Sequence, residues 1–396
     1  MSVMIQIIQI LIIWRFKERM IKMKKLKLMT ILGTRPEIIR LSSVIKKADM
    51  YFEHILGHTG QNWDYNLNQV FFEDLKIIKP DYYLVCAKES LGDTIGNIIS
   101  KTYKIILEEN PDAILILGDT NSALSAISAK RLKVPIFHME AGNRCWDWNV
   151  SEMINRKIVD HIADINLPYT ENSRMYLLSE GIDAKTIFVT GSPMREVLNN
   201  NIEDIEKSDI LNKLNLEKNK YILLSAHREE NIDNEENFMC LMNSINDIAQ
   251  IYKMPIIYST HPRSKKIIEK RKFEFNPLVK SMKPFGFNDY NNLQKNAYCV
   301  LSDSGTLSEE SAMLGFCGIL IRTSTERPEV LDSGSIIIGG IDKESIMESI
   351  NLAIQMKKNK EKIGIPKDYI ETNVSSKVIK IIQSYTSIVN QTVWRK

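Results

Sequence analysis

The residues Ser302-Asp303-Ser304-Gly305-Thr306-Leu307-Ser308-Glu309-Glu310 have the types and spacing that anion and sugar recognition require. An apolar run, Ala297-Tyr298-Cys299-Val300-Leu301, precedes them and is short enough for a buried strand. Ser311-Ala312-Met313-Leu314-Gly315 follows and reads as helix. Small residues at a strand-to-helix turn let backbone N–H groups approach an anion, and the helix dipole favours negative charge there. Glu309 and Glu310, one turn in, suit sugar hydroxyls better than a bare phosphate. A nucleotide carrying phosphates and a ribose satisfies both halves. An ordinary helix start satisfies them too, with Ser304 or Thr306 as cap and Glu309 closing a capping box.

A second switch of the same design favours the nucleotide. The run Pro111-Asp112-Ala113-Ile114-Leu115-Ile116-Leu117 leads into Gly118-Asp119-Thr120-Asn121-Ser122, then into helical Ala123-Leu124-Ser125-Ala126-Ile127. Two such units a domain apart predict two nucleotide-binding-type α/β domains facing one cleft, with the ligand at the carboxyl ends of the strands.

Further polar groups fall at predicted strand ends. Arg35, in Gly33-Thr34-Arg35-Pro36-Glu37, is placed to meet a phosphate as a planar fork. Glu140, in His138-Met139-Glu140-Ala141-Gly142-Asn143-Arg144, is a general-base candidate. Glu152 follows in Ser151-Glu152-Met153-Ile154-Asn155-Arg156. With Asp119 these make three carboxylates in one domain, and clustered carboxylates can divide acid and base roles. Each alone also fits a helix cap. His227 and Arg228, after the first strand of the second half, are phosphate candidates. His261 follows the next strand, while His58 sits in a polar loop where a histidine is usually structural. His227, His261 and a carboxylate could form a zinc site, but HExxH-like spacing is absent and no metal is expected.

Alternating elements must position these groups. Strands are predicted over 26–32, 52–56, 113–117, 134–138, 165–167 and 187–189, then 221–225, 255–259, 278–281, 298–301, 318–321 and 335–338. Helices are predicted over 38–47, 65–75, 91–109 and 122–132, then 235–252, 290–295, 307–315 and 343–356. The alternation argues for parallel sheets. The predicted domains are 23–195 and 196–370, with a C-terminal helix in 371–396 returning to the first. No GxGxxG follows a strand, which weighs against a dinucleotide cofactor.

Composition narrows the class. Among 396 residues, 26% are charged and the formal net charge is only +3. That balance, with no basic stripe, argues against a nucleic-acid partner. Cys86, Cys145, Cys240, Cys299 and Cys317 are widely spaced and read as free thiols in a reducing cytosol. The apolar run 3–14 is too short for an ordinary membrane span and lacks signal-peptide flanks. Residues 1–22 are expected to lie outside the fold, the alternative being a weak amphipathic anchor with a basic flank.

The assembled motifs resemble the non-hydrolysing UDP-N-acetylglucosamine 2-epimerase family, over about residues 24–385. The resemblance rests on Gly33-Thr34-Arg35-Pro36-Glu37, His58-Thr59-Gly60-Gln61, Gly118-Asp119-Thr120, Glu140-Ala141-Gly142-Asn143-Arg144 and Glu152 with Asn155-Arg156. It continues through Ala226-His227-Arg228-Glu229, Asp303-Ser304-Gly305 with Glu309-Glu310, and Thr325-Glu326-Arg327-Pro328-Glu329. It implies an α/β fold of two Rossmann-like domains facing a cleft, of glycosyltransferase-B type. Arg40-Leu41-Ser42, Asn143-Arg144-Cys145, Asn155-Arg156-Lys157-Ile158 and Phe285-Gly286-Phe287-Asn288-Asp289-Tyr290 further resemble the branch that makes UDP-N-acetyl-L-fucosamine. That branch inverts C2 of UDP-2-acetamido-2,6-dideoxy-L-talose.

By the same resemblance, Arg35, His227 and the Ser304-Gly305-Thr306 turn would contact the diphosphate. Glu310 would hold the ribose, Tyr290 would lie against the uracil, and Arg327 would support the nucleotide end. Asp119, Glu140 and Glu152 would flank the sugar as proton-transfer groups. The resemblance implies no cofactor, a homodimer and a cytoplasmic role in surface polysaccharide synthesis. The chain departs from the branch at Ser151-Glu152-Met153, where Pro-Glu-Glu is usual, and at Trp146 and Trp148. A hydrolysing epimerase, or a nucleotide-sugar-binding protein of the same fold, are the competing readings.

Overall fold

The computed structural model describes residues 25–60, 68–145, 151–323 and 325–396. Residues 1–22, Gln61 and Asn62, and Trp146 and Trp148 lie outside the described residues.

The first six strands are β1 (Lys27–Leu32), β2 (Glu53–His58), β3 (Tyr82–Tyr83), β4 (Ala113–Leu117), β5 (Ile136–Met139) and β6 (Ile165–Leu167). They form one sheet in the order β3-β2-β1-β4-β5-β6, with every pairing parallel. The second six are β7 (Ile222–Ser225), β8 (Ile256–Ser259), β9 (Val279–Met282), β10 (Cys299–Ser302), β11 (Gly318–Leu320) and β12 (Ile337–Ile338). They form a second parallel sheet, β12-β11-β10-β7-β8-β9. Read from β9, the second order repeats the first. Both are doubly wound sheets, whose strand order reverses between β1 and β4 and between β7 and β10.

Their sequences suit this burial. All five residues of β4, Ala-Ile-Leu-Ile-Leu, are buried, as expected of a central strand covered on both faces. The helix Leu91–Glu109 is one-sided instead. It buries Ile98, Ile105 and Ile106, starts at Ser90, whose side chain accepts from Asp93 N, and stops at left-handed Asn110 (φ 45°). Each such apolar side chain contributes roughly 1.5–3 kcal/mol on burial.

Two helices join the halves. Met194–Glu206 runs through the stretch expected to hold the domain boundary and buries Val197, Leu198 and Ile205 in the first core. Val374–Val389, after the last strand, returns and packs Val374, Val378 and Ile382 into the cluster that holds Leu41, Val44 and Ile45.

Three expectations change. Residues 187–189 form no strand; Ile187 makes a single bridge to Asn166, and the chain turns away at Gly191 (φ 86°). The predicted helix 122–132 is a 3-10 turn, Asn121–Leu124, followed by an α-helix, Ser125–Arg131. The edge strand β3 went unpredicted because two residues give no periodicity.

Gly33 is needed for closeness rather than for φ. A Cβ there would sit 2.1 Å from both Ser122 Oγ and Thr59 Oγ1, two buried hydroxyls that bond each other at 2.9 Å. Gly33→Ala is therefore expected to cost about 1–3 kcal/mol by overpacking. A thermal melt checks it, and an unchanged midpoint would show that the turn relaxes.

Candidate active site

Ligands of open α/β sheets sit at the carboxyl ends of strands where the order reverses. The four loops at those points are Gly33-Thr34-Arg35 after β1, Gly118-Asp119 after β4, Ala226-His227-Arg228 after β7 and Asp303-Ser304-Gly305 after β10. These are the loops the sequence marked.

One cavity receives side chains from both sheets. Arg35, Ile39, Arg40 and Phe71 line it from the first; Ser225, Phe285, Tyr290, Ser304, Thr306 and Glu310 line it from the second. Its chemistry is graded. Phe71, Phe285, Phe287 and Tyr290 offer apolar and aromatic surface, while Ser304 and Thr306 bring two hydroxyls 3.0 Å apart. Thr306 caps the helix Leu307–Leu314 without a side-chain cap bond. The capping-box alternative therefore does not form, and Glu309 turns elsewhere. Glu310 is buried, accepts from Gln294 Nε2 at 2.6 Å, and has its pKa pushed up by that burial.

Beside the cavity stands a cationic corner. Asp303, fully buried, accepts from the backbone N of His227 (2.8 Å) and Arg228 (2.9 Å) and lies 3.3 Å from His227 Nδ1. The second strand-end carboxylate thus orients the first strand-end histidine. Burial lowers the His227 pKa, and Asp303 only partly offsets this against Arg35, Arg228 and Arg263. The His261 ring lies 5.7 Å away, and its pKa is held at about 4, chiefly by burial. His261 is thus neutral near pH 7, and its Nδ1 accepts from Arg263 N at 3.3 Å.

The carboxylates of the first half face this corner. Glu140 adopts a left-handed φ of 61°, a strained conformation for a side-chain-bearing residue and one that clusters at functional sites. It is buried, one oxygen pairing with Arg40 and the other lying 3.0 Å from Arg327 Nη2. Asp119 pairs with Arg156, whose guanidinium lies 3.5 Å from Glu326. Glu326 also binds Arg228 at 3.1 Å. Burial would raise the Glu326 pKa, but Arg228, Arg156 and Arg322 outweigh it and hold it at about 2. Glu152, on the helix Ser151–Ile162, is half-buried, and its charge reaches Arg228.

The family model described as UDP-N-acetylglucosamine 2-epimerase matches residues 45–383. The chain belongs to the UDP-N-acetylglucosamine 2-epimerase family, enzymes that epimerise UDP-sugars. The UDP-N-acetylglucosamine 2-epimerase of Methanocaldococcus jannaschii is 36% identical over 346 residues, covering 84% of this chain and 94% of that one. The solved Rickettsia bellii UDP-N-acetylglucosamine 2-epimerase superposes with a TM-score of 0.86 at 45% identity, covering 94% of this chain and 100% of that one. The M. jannaschii enzyme, solved in complex with UDP-GlcNAc and UDP, superposes with a TM-score of 0.84 at 33% identity, covering 90% and 99% of the two chains.

In this epimerase the structure brings Arg35, Tyr290, Ser304, Thr306 and Glu310 into one cavity. Gly305 sits in the same turn, and a Cβ there would approach Arg228 and Arg327 no closer than 3.8 Å. Space alone therefore does not demand a glycine. Arg327 forks between Glu140 and Glu309 and reaches the Tyr369 hydroxyl at 3.2 Å, while its Nε lies 3.8 Å from where a Gly305 Cβ would stand, beside the Ser304-Gly305-Thr306 turn. Glu309, expected to meet sugar hydroxyls, is fully buried among arginines instead. His58 is buried, its Nδ1 accepts from Gly60 N at 2.9 Å, and burial lowers its pKa to about 4.

Sequence reading gave no role to Arg40, Arg156 or Glu326. Arg40, between Ile39 and Leu41 in a helix that faces the core, was the available signal, since a buried guanidinium needs partners. Among the described residues, no three His, Cys, Asp or Glu side chains are grouped to hold a metal ion. Nor is any helix there long and apolar enough to cross a membrane.

Proposed function

We propose that this epimerase inverts C2 of a UDP-linked N-acetylhexosamine by eliminating and re-adding UDP. The observation that carries the reading is the cavity lined from both halves, with Tyr290, Ser304, Thr306 and Glu310 on one side and Arg35 and Arg40 on the other, Arg40 in turn holding the Glu140 carboxylate. The C2 proton is not acidic enough for simple abstraction, but UDP is a good leaving group when cations receive it. Arg35, His227 and the Ser304-Gly305-Thr306 turn take the developing diphosphate charge. A carboxylate among Asp119, Glu140 and Glu152 removes the C2 proton as the C1–O bond breaks, leaving a C1=C2 double bond in a 2-acetamidoglycal. A proton is then returned to the opposite face of C2, the diphosphate oxygen re-adds at C1, and no redox cofactor is needed.

Within this reading the substrate is UDP-2-acetamido-2,6-dideoxy-L-talose and the product UDP-N-acetyl-L-fucosamine. The support is motif resemblance at Arg40-Leu41-Ser42, Asn143-Arg144-Cys145 and Phe285–Tyr290. The second reading, UDP-N-acetylglucosamine to UDP-N-acetylmannosamine, is favoured by the names of the relatives. The domains are 23–195 and 196–370 with residues 371–396 returning to the first, and the active form is a cytoplasmic homodimer serving polysaccharide synthesis. Ile154 and Ile158, exposed on one helix, support a covered face there.

The test offers both UDP-sugars to the purified enzyme in heavy water and follows the products by NMR. Deuterium at C2 of a product still joined to UDP is expected, with higher kcat/KM on the L-talo sugar. Full conversion with only protium at C2 would sink the elimination route. Free N-acetylmannosamine as the main product would mark a hydrolysing enzyme. A clear preference for UDP-N-acetylglucosamine would make the second substrate reading correct.

A further inference from the structure

Glu309 and Glu310 are neighbours in sequence with opposite surroundings. Glu310 faces the cavity. Glu309 is fully buried, and its oxygens lie 3.3 Å from Arg40 Nη2 and 3.3 Å from Arg327 Nη1. The Ser192 hydroxyl also donates to it. Arg40 and Arg327 are the two guanidiniums that hold Glu140. The four groups close a ring, in which each arginine forks between the two carboxylates and the charges balance. Arg40 and Glu140 come from the first sheet's loops and helices, while Glu309 and Arg327 come from the second's.

A carboxylate bound by two guanidiniums is a poor base unless something else shares their charge. Glu309 shares it. We propose that Glu309 is a positioning residue, which fixes Arg40 and Arg327 so that Glu140 keeps both its place and its basicity. This rests on the reading that Glu140 transfers the C2 proton. It also ties proton transfer to the nucleotide side, because Glu309 occupies the first turn of the helix whose start forms the Ser304–Thr306 turn. UDP seated at that turn and Glu140 at the sugar would then share one rigid element.

Other groups around Glu140 do not replace this charge. Tyr169 is buried beside it, and burial raises its pKa, so it stays neutral. Tyr369 is likewise neutral and donates to Glu329 at 2.6 Å. Asn143 donates an amide N–H to Glu140 at 3.3 Å. Glu329 lies beyond Tyr369 and feels Arg327, but burial raises its pKa.

Neutralising Glu309 leaves the two guanidiniums facing Glu140 with no anion on their far side to hold them in place. In Glu309→Gln, kcat should fall about 10²-fold, the usual result of a small misplacement of a reacting group. Affinity for UDP, measured by calorimetric titration, should stay at the wild-type value, since Glu309 does not line the cavity. Glu309→Asp, which keeps the charge, should restore most of the lost kcat. Ser192→Ala removes one hydroxyl donor only, and it keeps the test open if Glu309→Gln does not fold: kcat should fall with UDP affinity unchanged.

A wild-type rate in folded Glu309→Gln would overturn the inference. So would loss of UDP affinity equally in Gln and Asp variants, which marks a plain structural brace, or a wild-type kcat in Ser192→Ala. Glu140→Gln, assayed beside them, separates the two levels. If it retains full C2 exchange, the proton-transfer reading itself fails. If it loses exchange while Glu309→Gln behaves as wild type, only the positioning role falls.

Discussion

Glu140→Gln is expected to lower turnover and C2 exchange by about 10²–10⁴-fold, the range over which a positioned acid or base typically acts. The amide keeps the shape of the side chain but can neither accept the C2 proton nor balance Arg40 and Arg327. The backbone supports the assignment independently, since Glu140 holds φ at 61° where most residues with a side chain avoid it. The substitution has a second, separable effect. It leaves Glu309 as the carboxylate between two buried guanidiniums, and breaking a buried pair on one side costs about 3–5 kcal/mol. The melting midpoint should therefore fall as well. Exchange must be normalised to folded protein, which circular dichroism measures in the same sample. A folded variant exchanging at the wild-type rate would remove Glu140 from the chemistry and leave Asp119 or Glu152 to carry it.

What the sequence revealed and what it hid follow from the same physics. The strand 113–117 and the helices 91–109 and 235–252 were legible to the residue. β4 is an unbroken apolar run. Both helices start at capping side chains, Ser90 and Asn234, and the first ends at Asn110, a residue type that tolerates the left-handed conformation. The switch-point loops were legible because each places small and polar residues directly after an apolar strand. The charge ring was not legible. Arg40 and Glu309 lie 269 positions apart, and Glu140 and Arg327 lie 187 apart, so no local pattern joins them. Nor does sequence say which of two consecutive glutamates turns inward. That depends on the helix entering at the β10 turn, with Thr306 rather than Ser304 as its cap. The pairing of Arg327 with Glu140 was hidden for the same reason: it is set by what the other half of the molecule brings to it.

His227→Ala should reduce kcat by about 10²–10³-fold, the typical loss when one preorganised donor to a developing charge is removed. The fold should survive, because His227 is half-exposed and its backbone N, which the alanine keeps, makes the 2.8 Å bond to Asp303. Asp303 retains Arg228 N at 2.9 Å and Asn231 Nδ2 at 3.3 Å, so the loop stays anchored. What disappears is the ring beside Asp303, in the corner that Arg35 and Arg263 make positive. Burial and those cations lower the ring's pKa, which favours the neutral ring in the free enzyme. Two measurements separate this role from ordinary binding. Single-turnover release of UDP should slow, while UDP affinity drops far less than kcat, because leaving-group charge grows mainly in the transition state. A folded His227→Ala enzyme with an unchanged rate would move the leaving group away from β7 and onto Arg35 and the Ser304 turn alone.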